Sequence, residues 1–240
     1  MRVDQVKPLR WLFAELIVIV LGILIAFQVE DWREERQNKF LEVKAFQEVL
    51  SDLDSIELTL LDAIRMAEES TPSAVKLIGL IQSGEGGEDD FLESIGALNV
   101  YMIGVAEGTY AYDGLLAAGR FAAVENSDLT KDMRLFFSIR KPWIYSLNAM
   151  HVEHYDNLVT RIYLDVRQIP DLNFSSNLKS KSEISVPIDE FLNDPQLMDD
   201  LLDFVRRSER LKDLFRSLVD DIKKLREDIN LHLGSLRPSS

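Results

Sequence analysis

The hydrophobic pattern opens with a continuous apolar run and then becomes periodic. From Leu16 to Phe27 every residue is apolar or glycine, and Trp11 and Trp32 flank the run. A helix rises about 1.5 Å per residue, so the two tryptophans would stand roughly 31 Å apart, close to the hydrocarbon thickness of a bilayer. Tryptophan at both ends is typical of interfacial aromatic belts. The pattern predicts one transmembrane helix over residues 11–32. Its predicted interface residues are Trp11, Trp32, Arg10 and Arg33.

Two other interpretations of this segment are a cleaved signal peptide and a buried helix of a soluble core. Arg2, Lys7 and Arg10 would supply the charged region of a signal peptide, but no small-x-small cleavage site follows the run. A helix of a soluble core would have a polar face, and residues 16–27 have none. We therefore predict an uncleaved anchor.

Beyond Trp32 the apolar residues recur every three or four positions, as in the seam of a coiled coil. Glu57 interrupts the series. The spacing predicts that the membrane helix continues as a stalk to Ser70-Thr71-Pro72, the first helix breaker. The seam residues are Val43, Phe46, Leu50, Leu53, Leu60, Ile64 and Ala67.

The last long element has the cleanest periodicity in the chain. Asp194-Pro195 starts it, residues 197–229 repeat over about five heptads, and Ser208 alone breaks the pattern. Gly234 and Pro238 end it. Nothing after it is apolar enough to span a membrane, so we expect this helix to return antiparallel along the stalk.

Shorter helices are predicted between these two rods. A helical pattern runs from Asp128 to about Arg167, and Pro142 must kink or divide it. Residues 170–188 are polar and irregular, which favours a flexible loop over a small β-ribbon or a functional surface. The predicted fold is all-α: a transmembrane helix continuous with a stalk helix, packed in an antiparallel bundle with the C-terminal helix and a cap of shorter helices. The predicted order is a short basic tail (1–10), transmembrane helix (11–32), stalk (33–70), helical cap (71–169), irregular loop (170–188), return helix (189–234) and tail (235–240).

Net charge narrows the classes of partner. The chain carries a net charge of −14, so it lacks the basic stripe that nucleic-acid binding requires. The absence of cysteine excludes disulfides, thiolate nucleophiles and cysteine-ligated zinc. Three basic residues stand on each side of the predicted span, which leaves the positive-inside count nearly tied. We favour a cytoplasmic ten-residue tail and an exported C-terminal domain.

One face of the predicted span carries Glu15, Gly22 and Ala26. Gly22 and Ala26 form a small-xxx-small pair that permits close contact between helices, which predicts a self-association face with Glu15 at one end. The alternatives are a Glu15 that reaches the headgroups beside an incidental Gly22, or a proton-accepting carboxylate.

His151 and His154 stand one helical turn apart, with Glu153 and Asp156 close by. This spacing could clamp a metal, but a metal site in a bundle would need a second matching set, and the only other histidine is His232. We therefore favour a surface pair and expect no metal, no cofactor and no catalytic constellation.

The run from Glu15 to Arg36, ELIVIVLGILIAFQVEDWREER, resembles the start of an uncharacterised family of bacterial single-span proteins. Members begin with E-x-x-x-I-V-x-G-I-L-I-A-L-x-x-N-x-W-x-x-x-R and continue into a long helix. Thr109-Tyr110 with Leu115 and Gly119, followed by Leu129 and Phe136, is similar to the family's T-Y-x-x-L-x-x-x-G segment, although Leu115 and Gly119 stand two residues further on than that spacing. Glu30 stands where the family has Asn. The resemblance implies a single-pass protein of the bacterial inner membrane, and it implies no activity because the family's function is unknown.

Three functional hypotheses follow. The first is a membrane-anchored, non-catalytic helical protein that binds itself or another membrane protein. The second is an exported sensor with a small-molecule cleft among Tyr101, Tyr110, Tyr112, Trp143 and Tyr145; aromatic residues at helical spacing are more often core. The third, a stator-like partner in proton-driven machinery, rests on Glu15 alone.

Overall fold

A computed structural model of the chain describes residues 7–103, 109–119, 127–166 and 188–236, without the side chains of residues 7–14, 127, 163–166 and 190. Every regular element in these ranges is helical, which confirms the all-α prediction. The elements are α1 (Lys7–Ser83), α2 (Glu88–Gly96), α3 (Tyr110–Ala117), α4 (Ser127–Leu135), a π-helical segment (Phe136–Arg140), α5 (Lys141–Val166), α6 (Ile188–Leu192) and α7 (Pro195–Ser235).

Helices α1 and α7 pack against each other in opposite directions. His232 Nε2 lies 2.9 Å from Glu42 Oε1 near the C-terminal end of α7, and Arg216 donates to Glu68 Oε1 at 2.6 Å further along. As the residue number falls on α7 it rises on α1, so the predicted antiparallel return is confirmed. Asp194 starts α7 as expected, because its Oδ1 accepts from two backbone N–H groups of the first turn.

The helix formed by α4, the π-helical segment and α5 is the third rod, also antiparallel to α7. Lys224 donates to Asp132 at 2.6 Å, and Ser208 meets His151 at 3.0 Å. This rod is therefore parallel to α1.

Two apolar cores follow each other along the rods. The first contains the buried positions between residues 45 and 64 of α1, between 211 and 229 of α7, and between 129 and 145 of the third rod. The second contains residues 74–81 of α1 and 197–204 of α7, which pack against Phe91, Ile95, Leu98, Leu158, Ile162 and Phe191. Alternating three- and four-residue steps put the buried side chains on one face of each helix.

The predicted break at Ser70-Thr71-Pro72 is wrong, because α1 continues to Ser83. Pro72 lies on the exposed face, while Ser70 and Thr71 are buried. Proline removes one backbone donor, but the apolar face that follows it, beginning at Ala74, is buried in the second core and keeps the helix going. The stalk is thus longer than predicted, and α1 is roughly 115 Å long at 77 residues.

Pro142 modifies its helix without dividing it. The π-helical segment Phe136–Arg140 ends two residues before Pro142, and α5 begins at Lys141. A π turn widens the helix and alters the backbone hydrogen-bonding register, which accommodates a residue without an N–H. Most of the irregular loop predicted at 170–188 lies outside the described residues.

Candidate functional site

A layer of buried polar side chains separates the two apolar cores. Ser70 and Thr71 come from α1, Asn148 and His151 from α5, and Ser208 from α7. Each of the three rods therefore contributes a polar group at the same height of the bundle. Polar groups in an apolar core lower stability unless they are hydrogen-bonded, so their partners decide what the layer can do.

Most members of this polar layer are paired. The Ser70 hydroxyl accepts from the backbone N–H of Asn99 at 2.8 Å, and Asn148 Nδ2 donates to the Tyr101 carbonyl at 3.0 Å. Both bonds fasten the connection after α2 to the long helices. The polar layer thus holds the cap in register on the rods.

His151 is the central titratable group of the polar layer. Its Nε2 shares a 3.0 Å hydrogen bond with Ser208 Oγ, and its ring packs on Phe204 with centroids 5.1 Å apart. Within the described residues Nδ1 is buried and has no hydrogen-bond partner. Burial lowers the pKa of the His151 imidazole to about 4, and the positive charges of His154 and Arg207 add to this shift. His151 is therefore neutral near pH 7.

A cavity of about 20 Å³ adjoins the polar layer. This volume is close to what one water molecule needs, and the polar lining could hold one. It is too small for a metabolite. The lining residues are Ala63, Ala67, Asn99, Val100, Tyr101, Asn148, His151, Ser208, Leu211 and Phe215.

The prediction that His151 and His154 form a surface pair is wrong. His151 is only 4% exposed, and His154 Nε2 instead meets the Asp200 carbonyl of α7 at 3.1 Å. Glu153 and Asp156 are exposed. In the described ranges no three histidine or carboxylate side chains are grouped so that they could hold a metal ion.

The five aromatic residues of the proposed sensor cleft are not brought together around a cavity. Tyr110 and Trp143 are exposed, whereas Tyr112 and Tyr145 belong to the first apolar core. Only Tyr101 lines the small cavity. The described structure therefore does not contain the predicted cleft.

The predicted membrane residues lie on a part of α1 that no other described element covers. Every side chain from residue 15 to residue 40 is exposed, including Glu15, Gly22, Ala26, Trp32 and Arg33. The side chains of Arg10 and Trp11 lie outside the description. The Arg36 guanidinium stands over the Trp32 ring at 5.5 Å.

Across the part of the chain that the structure describes, no helix has an apolar stretch of the length and composition needed to cross a bilayer. The predicted span begins at residue 11, four residues before the first described side chain of α1.

Comparisons with known proteins give no relative for this chain. No family model matches it, and neither a curated protein nor a solved structure is significantly similar.

The polar layer was not predicted, although the sequence contains one signal for it. Ser208 is the single position that breaks the heptads of α7, and it is the residue that bonds His151. A polar residue inside an otherwise perfect apolar seam indicates a buried partner on another helix. The partner could not be chosen from sequence, because the register between α5 and α7 was unknown.

Proposed function

We propose that this chain is a membrane-anchored, non-catalytic helical protein that associates with itself or scaffolds a complex of another membrane protein. The anchor is the segment of residues 11–32, and the bundle is its water-exposed domain. In the proposed arrangement the protein is a single-pass protein of the bacterial inner membrane with the bundle on the exported side.

The observation that carries the proposal is the exposure of residues 15–40 on the same helix that forms the bundle core. Leu16 to Phe27 are all apolar or glycine, and Phe27 is 65% exposed. Exposed contiguous apolar surface of this extent marks an interaction site with lipid or protein. The pattern of residues 15–36 resembles the start of an uncharacterised single-span family and would imply the same topology, although no family model matches this chain.

Self-association is supported by the open face of this segment. A Cβ atom placed on Gly22 would meet nothing within 4 Å, so another helix can approach its backbone closely. Ala26 is one turn further along the same face. Glu15 near its end would favour a paired environment, because a lone carboxylate is unfavourable in lipid.

Membrane fractionation with two matched variants tests the anchor. We expect the full chain to sediment with membranes, to resist extraction by alkaline carbonate, and to have the mass of the intact chain. Leu21→Arg together with Leu24→Arg should move most of the protein to the soluble fraction, because each arginine costs about 3 kcal/mol at the centre of a span. The control, Phe40→Arg with Leu58→Arg, changes two exposed residues of the same helix and should stay with the membranes.

Recovery of the intact wild-type chain as a soluble protein would contradict the anchor. A mass lacking the first thirty residues would identify a cleaved signal peptide. Orientation is read from the same preparation. The chain has no cysteine, so a Ser51→Cys variant carries one exposed thiol, and a membrane-impermeant maleimide should label it from the exported side.

A further inference from the structure

The third rod carries an apolar stripe that no described element covers. Leu135, Ile139, Trp143 and Met150 are 46%, 58%, 50% and 56% exposed. Steps of four, four and seven residues place them along one side of the rod. The same rod buries its opposite side in the first apolar core through residues such as Met133. The stripe is therefore a second apolar face on one helix.

Charge along this stripe is unusual for so acidic a chain. No carboxylate occurs between Asp132 and Glu153, although the whole chain carries a net charge of −14. Arg134 stands at one end of the stripe and Glu153 at the other, and both are exposed. In the described structure neither forms an ion pair. On a helical projection that counts the π turn at Phe136–Arg140 as one extra residue, both lie on the same flank of the stripe.

We propose that the stripe binds a second copy of this chain, with the two third rods antiparallel about a two-fold axis at Trp143. Arg134 precedes Trp143 by nine residues and Glu153 follows it by ten, which is about 12 Å and about 15 Å because the π turn shortens the rise on the Arg134 side. Reversing one copy therefore brings Arg134 of each protomer to Glu153 of the other. The same reversal sets Leu135 against Met150. The face is complementary to itself, as an isologous interface requires.

The charge pattern disfavours two other arrangements. A parallel two-fold pair would bring the two Arg134 side chains to one height and the two Glu153 side chains to another, so neither charge would meet its opposite. An anionic lipid surface would attract Arg134 and repel Glu153. The stripe also runs along the bundle, parallel to α1, and not across the end that faces the predicted anchor.

This pairing goes beyond the proposed function and does not depend on it, because the surface lies on the bundle and not on residues 11–32. It turns the two predicted anchors in opposite directions, so the two paired copies would belong to two facing membranes, and the pairing is an alternative to the Gly22–Ala26 contact between copies in one membrane. The full chain in detergent micelles is therefore the right sample, and the pairing can fail while the anchor stands.

Charge reversal with rescue is the first experiment, with mass measured by sedimentation of the full chain over a range of concentrations. Arg134→Glu and Glu153→Arg should each weaken the dimer about tenfold, because the two-fold axis repeats the pair and turns two attractions into repulsions. The double variant Arg134→Glu/Glu153→Arg should restore wild-type dimerisation. Arg210→Glu, on the exposed side of α7, is the control and should not change it.

Cross-linking in the cysteine-free chain is the second experiment, and it reads orientation directly. An equimolar mixture of the Arg134→Cys and Glu153→Cys proteins should form a dimer with a short bis-maleimide, and either protein alone should form little. A dimer from each protein alone would show parallel pairing and overturn the proposal. Loss of dimer in both single reversals without rescue in the double variant would overturn it too, as would a monomer at every concentration.

Discussion

The two halves of α1 share one backbone and have opposite surroundings. From residue 15 to residue 40 every side chain is exposed, whereas from Phe46 onward the apolar side chains on one face are buried by the other rods. The sequence difference is one of pattern more than of composition. A periodic stripe can be covered by neighbouring helices on one side, but a run that is apolar all round can be covered only by an environment on every side. The comparison shows why one helix has a fully exposed apolar half and a half whose apolar face is buried in the bundle.

The largest expected effect comes from truncating matched leucines in the two halves. Leu53 is fully buried, so Leu53→Ala should lower the free energy of unfolding by about 3 kcal/mol. Leu21→Ala should change it by less than about 0.5 kcal/mol, because Leu21 makes no buried contact in the bundle. Denaturant unfolding of both variants in the same detergent gives the two values. Equal losses would show that residues 15–40 belong to the cooperative unit.

Acid should distinguish the two halves of α1, because the polar layer that contains His151 packs only against the half that begins at Phe46. The pKa of His151 is lowered from 6.5 to about 4, so the unfolded chain takes up a proton before the folded chain does. The contribution of the neutral His151 ring to the free energy of unfolding is therefore intact above pH 6.5. It is lost as the pH falls towards 4, by roughly 3 kcal/mol at most. Hydrogen exchange should show the bundle loosening in this window.

The matched variant is His151→Gln, which keeps a polar side chain that does not titrate. The difference in unfolding free energy between wild type and this variant should vary between pH 6.5 and 4 and stay constant above. A constant difference over the whole range would place the His151 ring in water and contradict the buried geometry.

The smallest expected effect concerns the start of α7, which pairs with the packed half of α1. Asp194→Ala should cost about 1 kcal/mol, because its side chain caps two N–H groups of the first turn. Asp199→Ala, an exposed position within the same helix, should stay within about 0.5 kcal/mol. Thermal unfolding at pH 7 is sufficient. A loss at Asp199 as large as at Asp194 would mean that charge and not capping matters.

Local and periodic signals made much of this fold predictable. The seam of α7, its cap at Asp194 and the burial of Phe46 and Leu53 all follow from residue spacing within one helix. The continuation of α1 through Pro72 does not follow from spacing within one helix, because it depends on the second apolar core, which holds Ala74 and its neighbours in place. The His151–Ser208 bond was also out of reach, since it joins residues 57 apart whose register only the packed bundle sets.

The unbroken length of α1 has a mechanical consequence. The helix has no break between residue 7 and Ser70 at which torsion could be relieved, and Pro72, where one backbone hydrogen bond is missing, lies beyond this stretch. A rotation of the exposed half of α1 about the helix axis would therefore be transmitted to the Glu42–His232 and Glu68–Arg216 contacts with α7. Further along the helix it would be transmitted to Ser70. A partner that binds the exposed half of α1 is therefore connected by one continuous helix to the centre of the bundle.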